Sequence, residues 1–200
     1  CSSTPPFGGT GEIAFAGSPW AQLSDAALAL PRTPWIFPLR NGQVLEVGPE
    51  AVTRQLDRRD LGSWSYVGSL RAGSRHGGTA VLMPDAPDRV LVMGGRDPAT
   101  ETCEILDLPT TSSWEYTGSM ARARRHHNAT LLADGTVLVT GGTLSGDALV
   151  HAVYSAELYT PAAGTWATLA SMTVSRRRGS VALLLPDARE RDRSGVRTET

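Results

Sequence analysis

Two independent markers advance together along this chain, and they restrict its fold more than any other feature. Trp64 lies in GSWSYVGSL, Trp114 in SSWEYTGSM and Trp166 in GTWATLASM, at spacings of 50 and 52 residues. Upstream of each tryptophan, a β-branched run ends in small residues: VLEVGP from Val44, VLVMGG from Val90 and VLVTGG from Val137, at spacings of 46 and 47. A repeat of this length implies one supersecondary unit copied along the chain, each unit burying its apolar face against its neighbours.

Within each unit the order is constant. An apolar run comes first: WIFPL, GTAVLMP, ATLLA, and a fourth in SVALLLP. Asn41-Gly42 or Asp134-Gly135 then marks a tight turn between antiparallel neighbours. The second strand ends at the glycines, where a missing side chain lets another backbone come close. A third strand reads TRQLD, CEILDL or SAELY, and the fourth carries the tryptophan. Four short antiparallel strands per unit make a propeller blade, and this period with paired glycines and a late tryptophan is the kelch signature. SDAALAL near Ser24 is the one short helical candidate. The expected fold is therefore all-β: a kelch-type β-propeller segment of about three four-stranded blades plus a partial fourth, with its ring not closed. Closing a ring of six or seven blades would take about 300 to 350 residues at this period. The expected organisation is an N-terminal segment at 1–33, blades at 34–186 and a polar, disordered tail at 187–200. Unclosed blades leave strand edges exposed, so self-association through those edges is an expected property.

Composition narrows function. The chain has 200 residues and a formal net charge of -1, and all of its 19 basic residues are arginine. That balance argues against a nucleic-acid binder working through a broad basic surface. No apolar run approaches the roughly 20 residues of a membrane-spanning helix. Cys1 and Cys103 are the only cysteines. Cys1 followed by Ser-Ser would suit the lipid-carrying N-terminus of an exported lipoprotein. Two cysteines and four histidines lack zinc-ligand spacing. No Ser-His-Asp arrangement appears, and Asp25, Glu50 and Asp107 cannot be paired from sequence alone.

Successive blades also match one family in order. PWIFPLRNGQVLEVGP, TAVLMPDAPDRVLVMGG, ARARRHHNATLLADGTVLVTGG and SVALLLPD resemble the galactose oxidase and glyoxal oxidase group of copper-radical oxidases. The resemblance runs from about Pro31 to Asp187 and implies the central propeller of such an oxidase. In that family one copper and a cysteine-crosslinked tyrosine radical oxidise primary alcohols or aldehydes, with production of hydrogen peroxide. The resemblance puts the crosslinked pair on blades before those matched here and one histidine ligand in a later segment. The other two ligands are an adjacent tyrosine and histidine directly before the stretch present here as SVALLLPD. Those two positions are Arg178 and Gly179. Arginine has no lone pair to offer copper and glycine has no side chain, so no metal ligand, catalytic residue or cofactor is expected in this chain.

The glycines at 94, 95, 141 and 142 read as blade-packing positions rather than a phosphate cradle, because no helix and no spaced third glycine follow. The tryptophans read as inter-blade core. His126 and His127 are adjacent on a strand and face opposite ways, which favours packing and loop anchoring over a shared metal. His76 has the same reading, and His151, in the Leu144–Val153 insertion, is expected to be solvent-exposed. Arg75, Arg125, Arg176, Arg177 and Arg178 each precede the first strand of a blade and form a candidate anion- or ligand-binding mouth on one face. The expected function is a non-catalytic galactose oxidase-like propeller binding carbohydrate or a protein partner through its inter-strand loops. The alternative is a fragment of an active copper-radical oxidase. By resemblance the protein would be extracellular.

Overall fold

The computed structural model describes residues 11–13, 21–31, 33–108, 110–146, 148–185 and 190–193. A short antiparallel pair, β1 (Gly11–Ile13) and β2 (Ala21–Leu23), comes first. Three four-stranded antiparallel sheets follow, each in sequence order. Blade one holds β3 (Trp35–Pro38), β4 (Val44–Val47), β5 (Val52–Asp57) and β6 (Ser63–Ser69). Blade two holds β7 (Thr79–Met83), β8 (Arg89–Met93), β9 (Cys103–Asp107) and β10 (Glu115–Thr117). Blade three holds β11 (Asn128–Leu131), β12 (Val137–Thr140), β13 (Ser155–Thr160) and β14 (Thr165–Ser171). A final antiparallel pair joins β15 (Val181–Leu184) to β16 (Glu190–Arg193). The first strands β3, β7, β11 and β15 lie side by side in series. The architecture is thus all-β and unclosed, as the repeat requires.

Two sequence expectations change. SDAALAL yields only a 3-10 turn at Ser24–Ala26, and a second such turn forms at Leu149–His151. The polar stretch after Asp187 contains a strand, because Glu190 to Arg193 pair with Leu184 to Val181. Ladder hydrogen bonds need no apolar side chains, and alternating charges are common on an edge strand.

The hairpin turns form where the dipeptides sit. Asn41 Oδ1 accepts from Gln43 N at 2.9 Å, and Asp134 Oδ1 accepts from Thr136 N at 3.0 Å. Only the glycine of each pair takes a positive φ, 82° at Gly42 and 85° at Gly135. This is a type I turn with a left-handed glycine rather than a type I′ turn.

β8 shows how the core is divided. Val90 and Val92 face blade one and pack with Leu45, Val47, Leu106 and Trp114. Leu91 and Met93 face blade three and pack with Val137, Val139, Met120 and Tyr159. Period-two alternation thus sends one strand's side chains into two separate cores. Each repeat tryptophan reaches back to an earlier element. Trp64 Nε1 donates to Ala26 O at 2.9 Å, Trp114 Nε1 to Thr53 Oγ1 at 2.9 Å and Trp166 Nε1 to Gly118 O at 2.8 Å. Trp114 and Trp166 are inter-blade staples, and Trp64 ties blade one to the turn at Ser24–Ala26.

Candidate functional site

The connections leading into β7, β11 and β15 meet the loops after β4, β8 and β12 at one end of the blades. Arg75 N donates to Pro49 O, Gly95 N to Arg124 O, and Gly142 N to Arg176 O, at 2.6, 2.9 and 2.7 Å. Arg125 and Thr143 exchange two backbone hydrogen bonds of 2.9 Å. Of the arginines expected to form a mouth, the backbones of Arg75, Arg125 and Arg176 make these contacts.

Their side chains separate there. Arg75 is wholly buried. Its Nε and Nη2 donate to Glu104 Oε1 at 3.0 and 2.6 Å, Nη1 to the Gly94 and Thr102 carbonyls, and Nη2 also to Thr102 Oγ1. A guanidinium carries five N–H donors, and all five are used. Arg75 is therefore removed from the anion mouth, since no donor is left for a ligand. Arg125 pairs with Asp97 and is mostly covered. Arg176 and Arg177 are half-buried with contacts of their own, and Arg178 is exposed.

Sequence reasoning also passed over Arg124, which repeats Arg75 one blade on. Its Nη2 donates to Glu157 Oε1 at 2.5 Å, and Nη1 reaches Gly141 O at 3.0 Å and Ser155 O at 3.1 Å. Burial pulls its guanidinium pKa below the ordinary value, against the pull of Glu157. The signal was present in the chain: Glu104 and Glu157 occupy matching places on third strands, opposite Val92 and Val139.

The histidines divide in the same way. His127 is buried with neither ring nitrogen hydrogen-bonded, and burial, then Arg124 and His126, hold its pKa down to about 3. His76 is exposed and lies 3.3 Å from Glu50. His151 is half-buried rather than solvent-exposed as expected, and its Nδ1 lies 2.9 Å from Ser145 O, pinning the insertion. Cys103 is a free, wholly buried thiol whose pKa burial pushes up to about 12. Cys1, with the lipid anchor expected on it, lies outside the described residues.

Arg178 and Gly179 stand at the two positions where the family resemblance puts copper ligands. Gly179 has a φ of 77°, a left-handed backbone in which a histidine would be strained. The donor set and the backbone together do not fit copper at these positions. Among the described residues, no three histidine, cysteine or carboxylate side chains converge in a metal-ligating group. No helix among them is long and apolar enough to cross a membrane.

The loop face does hold a cavity of about 610 Å³ beside blade three, away from Arg178. Ala121 and Arg122 of the lead-in to β11, Leu144 of the insertion, Tyr154 just after it, and Thr168 and Ser171 of β14 line it. Among the described residues, no acid forms a salt bridge with Arg122, which is exposed. This volume lies within the range of small-ligand sites, about 300 to 1,000 Å³.

No protein-family model matches the chain. Two galactose oxidases of Gibberella zeae are 27% identical to it over 171 residues, covering 78% of this chain and 25% of the relative. The chain thus spans about a quarter of the length of the curated relatives it matches. Among solved structures, a fungal alcohol oxidase of the AA5 family in complex with copper superposes with a TM-score of 0.75 at 22% identity, over 90% of this chain and 42% of that one. The protein YjhT superposes with a TM-score of 0.58 at 14% identity, over 76% of this chain and 57% of that one. By its blade-by-blade architecture the chain is a segment of kelch-type β-propeller, and in sequence it is similar to galactose oxidase.

Proposed function

We propose that these blades form a non-catalytic binding module, engaging carbohydrate or a protein partner through the loops at one end of the propeller. The observation that carries this reading is the pair Arg178 and Gly179 on a backbone suited to glycine, where the resembled oxidases hold two copper ligands. A guanidinium there repels a cation instead of coordinating it. The cavity beside Arg122 supports a binding role for the same loop face. An extracellular setting goes with the resemblance and belongs to the same proposal.

The second reading is a piece of an active copper-radical oxidase of primary alcohols or aldehydes. The match to galactose oxidases favours it. Copper titration of the purified chain separates the two, with bound metal per chain measured alongside peroxide release from galactose and from glyoxal. The binding reading expects no stoichiometric copper and no peroxide. Tight copper with turnover would overturn it and mean that other side chains supply the ligands.

A further inference from the structure

Comparing blades two and three residue by residue shows how the cavity on the loop face arises. Glu104 accepts backbone hydrogen bonds from Arg71 N at 2.5 Å and Ala72 N at 3.2 Å. Glu157 accepts from Ala121 N at 2.5 Å and Arg122 N at 3.2 Å. The two carboxylates therefore fix the register: Ala121 stands where blade two has Arg71, and Arg122 where it has Ala72. In blade two the Arg71 side chain lies across the outer strand, donating to the Trp114 carbonyl and pairing with Glu115 at 2.5 Å. Blade three has no such plug. The alanine leaves open the space beside β14, Leu144 of the insertion and the adjoining Tyr154 wall it, and the displaced arginine lines it instead.

We propose that this cavity is a binding site for an acidic sugar, a hexuronate or the uronate end of a longer chain. This deepens, and rests on, the reading of the blades as a binding module. Arg122 supplies charge-assisted donors for a carboxylate. Thr168, Ser171 and Tyr154 supply hydroxyl groups for the ring hydroxyls, and Leu144 with the tyrosine ring supplies an apolar wall for the C–H face. The cavity volume of about 610 Å³ accommodates a single sugar ring with room for part of a second. A neutral sugar offers the exposed guanidinium only neutral acceptors, whereas a carboxylate makes the stronger charge-assisted bonds, so charge sets the preference.

The test is titration of the purified chain with D-galacturonate, and with D-galactose as the neutral counterpart, followed by calorimetry and by amide chemical shifts. Galacturonate should bind with a dissociation constant on the order of 1 mM, at least about tenfold tighter than galactose, with shifts centred on Tyr154 and Thr168. Arg122→Ala should lose about tenfold in affinity. Ala121→Arg, which restores the plug of blade two, should abolish binding in a chain that still unfolds cooperatively. Arg59→Ala, in the exposed turn after β5, should change nothing. If Ala121→Arg does not fold, the wild-type shift map alone decides, and shifts elsewhere overturn the site. No saturable binding overturns the proposal, as does binding unaffected by Ala121→Arg. In the latter case loop-face binding survives at another place, whereas copper with peroxide in the assay above would remove the binding-module reading itself.

Discussion

Arg75 and Glu104, 29 residues apart, meet inside blade two with both side chains fully buried and Nη2 2.6 Å from Oε1. Arg124 and Glu157, 33 apart, repeat the arrangement in blade three. Each carboxylate also receives the two backbone N–H groups of the incoming connection, so one glutamate fastens the third strand of a blade to the chain arriving from the previous blade. Blade one departs from this. By register with Glu46, Arg54 holds the place of the glutamate, and it pairs with Glu46 at 3.2 Å across the sheet. Burial, against the pull of Arg54, raises the Glu46 pKa.

Removing one member of such a pair strands the other as a buried charge. Glu104→Ala should lower unfolding free energy by about 3–5 kcal/mol in denaturant titration. The double change Arg75→Met with Glu104→Leu should recover part of that loss. Recovery stays partial because the Arg71 and Ala72 amides still lose their acceptor. A loss under 1 kcal/mol in the single variant would show the pair to be dispensable.

Two glycines separate backbone strain from packing. Gly73 has a φ of 79° with nothing within 4 Å of an added Cβ. Its change to alanine should cost only the left-handed penalty, about 1–2 kcal/mol. Gly94 has a φ of 61°, and a Cβ there would strike the Arg124 carbonyl and come within 2.6 Å of His127 Cε1. Gly94→Ala should therefore cost clearly more than Gly73→Ala by thermal or chemical unfolding. Equal costs would mean that the approach of the two blades is not tight.

His127 carries a definite pH dependence. Its native pKa is held down to about 3 from an ordinary value of 6.5. Above 6.5 neither state is protonated and this site contributes no slope. Below that value the unfolded chain takes up a proton that the native state refuses. Stability then falls with decreasing pH, by up to about 1.4 kcal/mol per pH unit, until the native state protonates near pH 3. His127→Phe should flatten this part of the profile between pH 6.5 and pH 4. An unchanged slope would assign acid lability to other groups.

The Cys103 thiol should be silent in the native protein. It is wholly enclosed and its pKa is pushed to about 12, so almost no thiolate exists at neutral pH. A thiol reagent should label it only after denaturant unfolds the core it shares with Met93 and Tyr159. Rapid native labelling would mean that the interface between blades two and three opens readily.

The repeat alone determined that the chain is a series of four-stranded blades. Strand alternation and the turn dipeptides are local properties, written at fixed offsets and copied about every 50 residues. The same local reading placed the glycines at close approaches and the tryptophans in the inter-blade core. Charge was different. Arg75, Arg125 and Arg178 look alike in sequence, each just ahead of a blade, yet one is buried on a glutamate, one is paired with an aspartate and one faces solvent. The partner that decides between these fates lies tens of residues away on a third strand or an adjoining loop, so only the assembled sheet brings it near. The exchange of Arg71 for Ala121 is visible once the blades are aligned, but its result is a property of packing. A missing side chain becomes a cavity only where β14 and the insertion fold around the space it leaves.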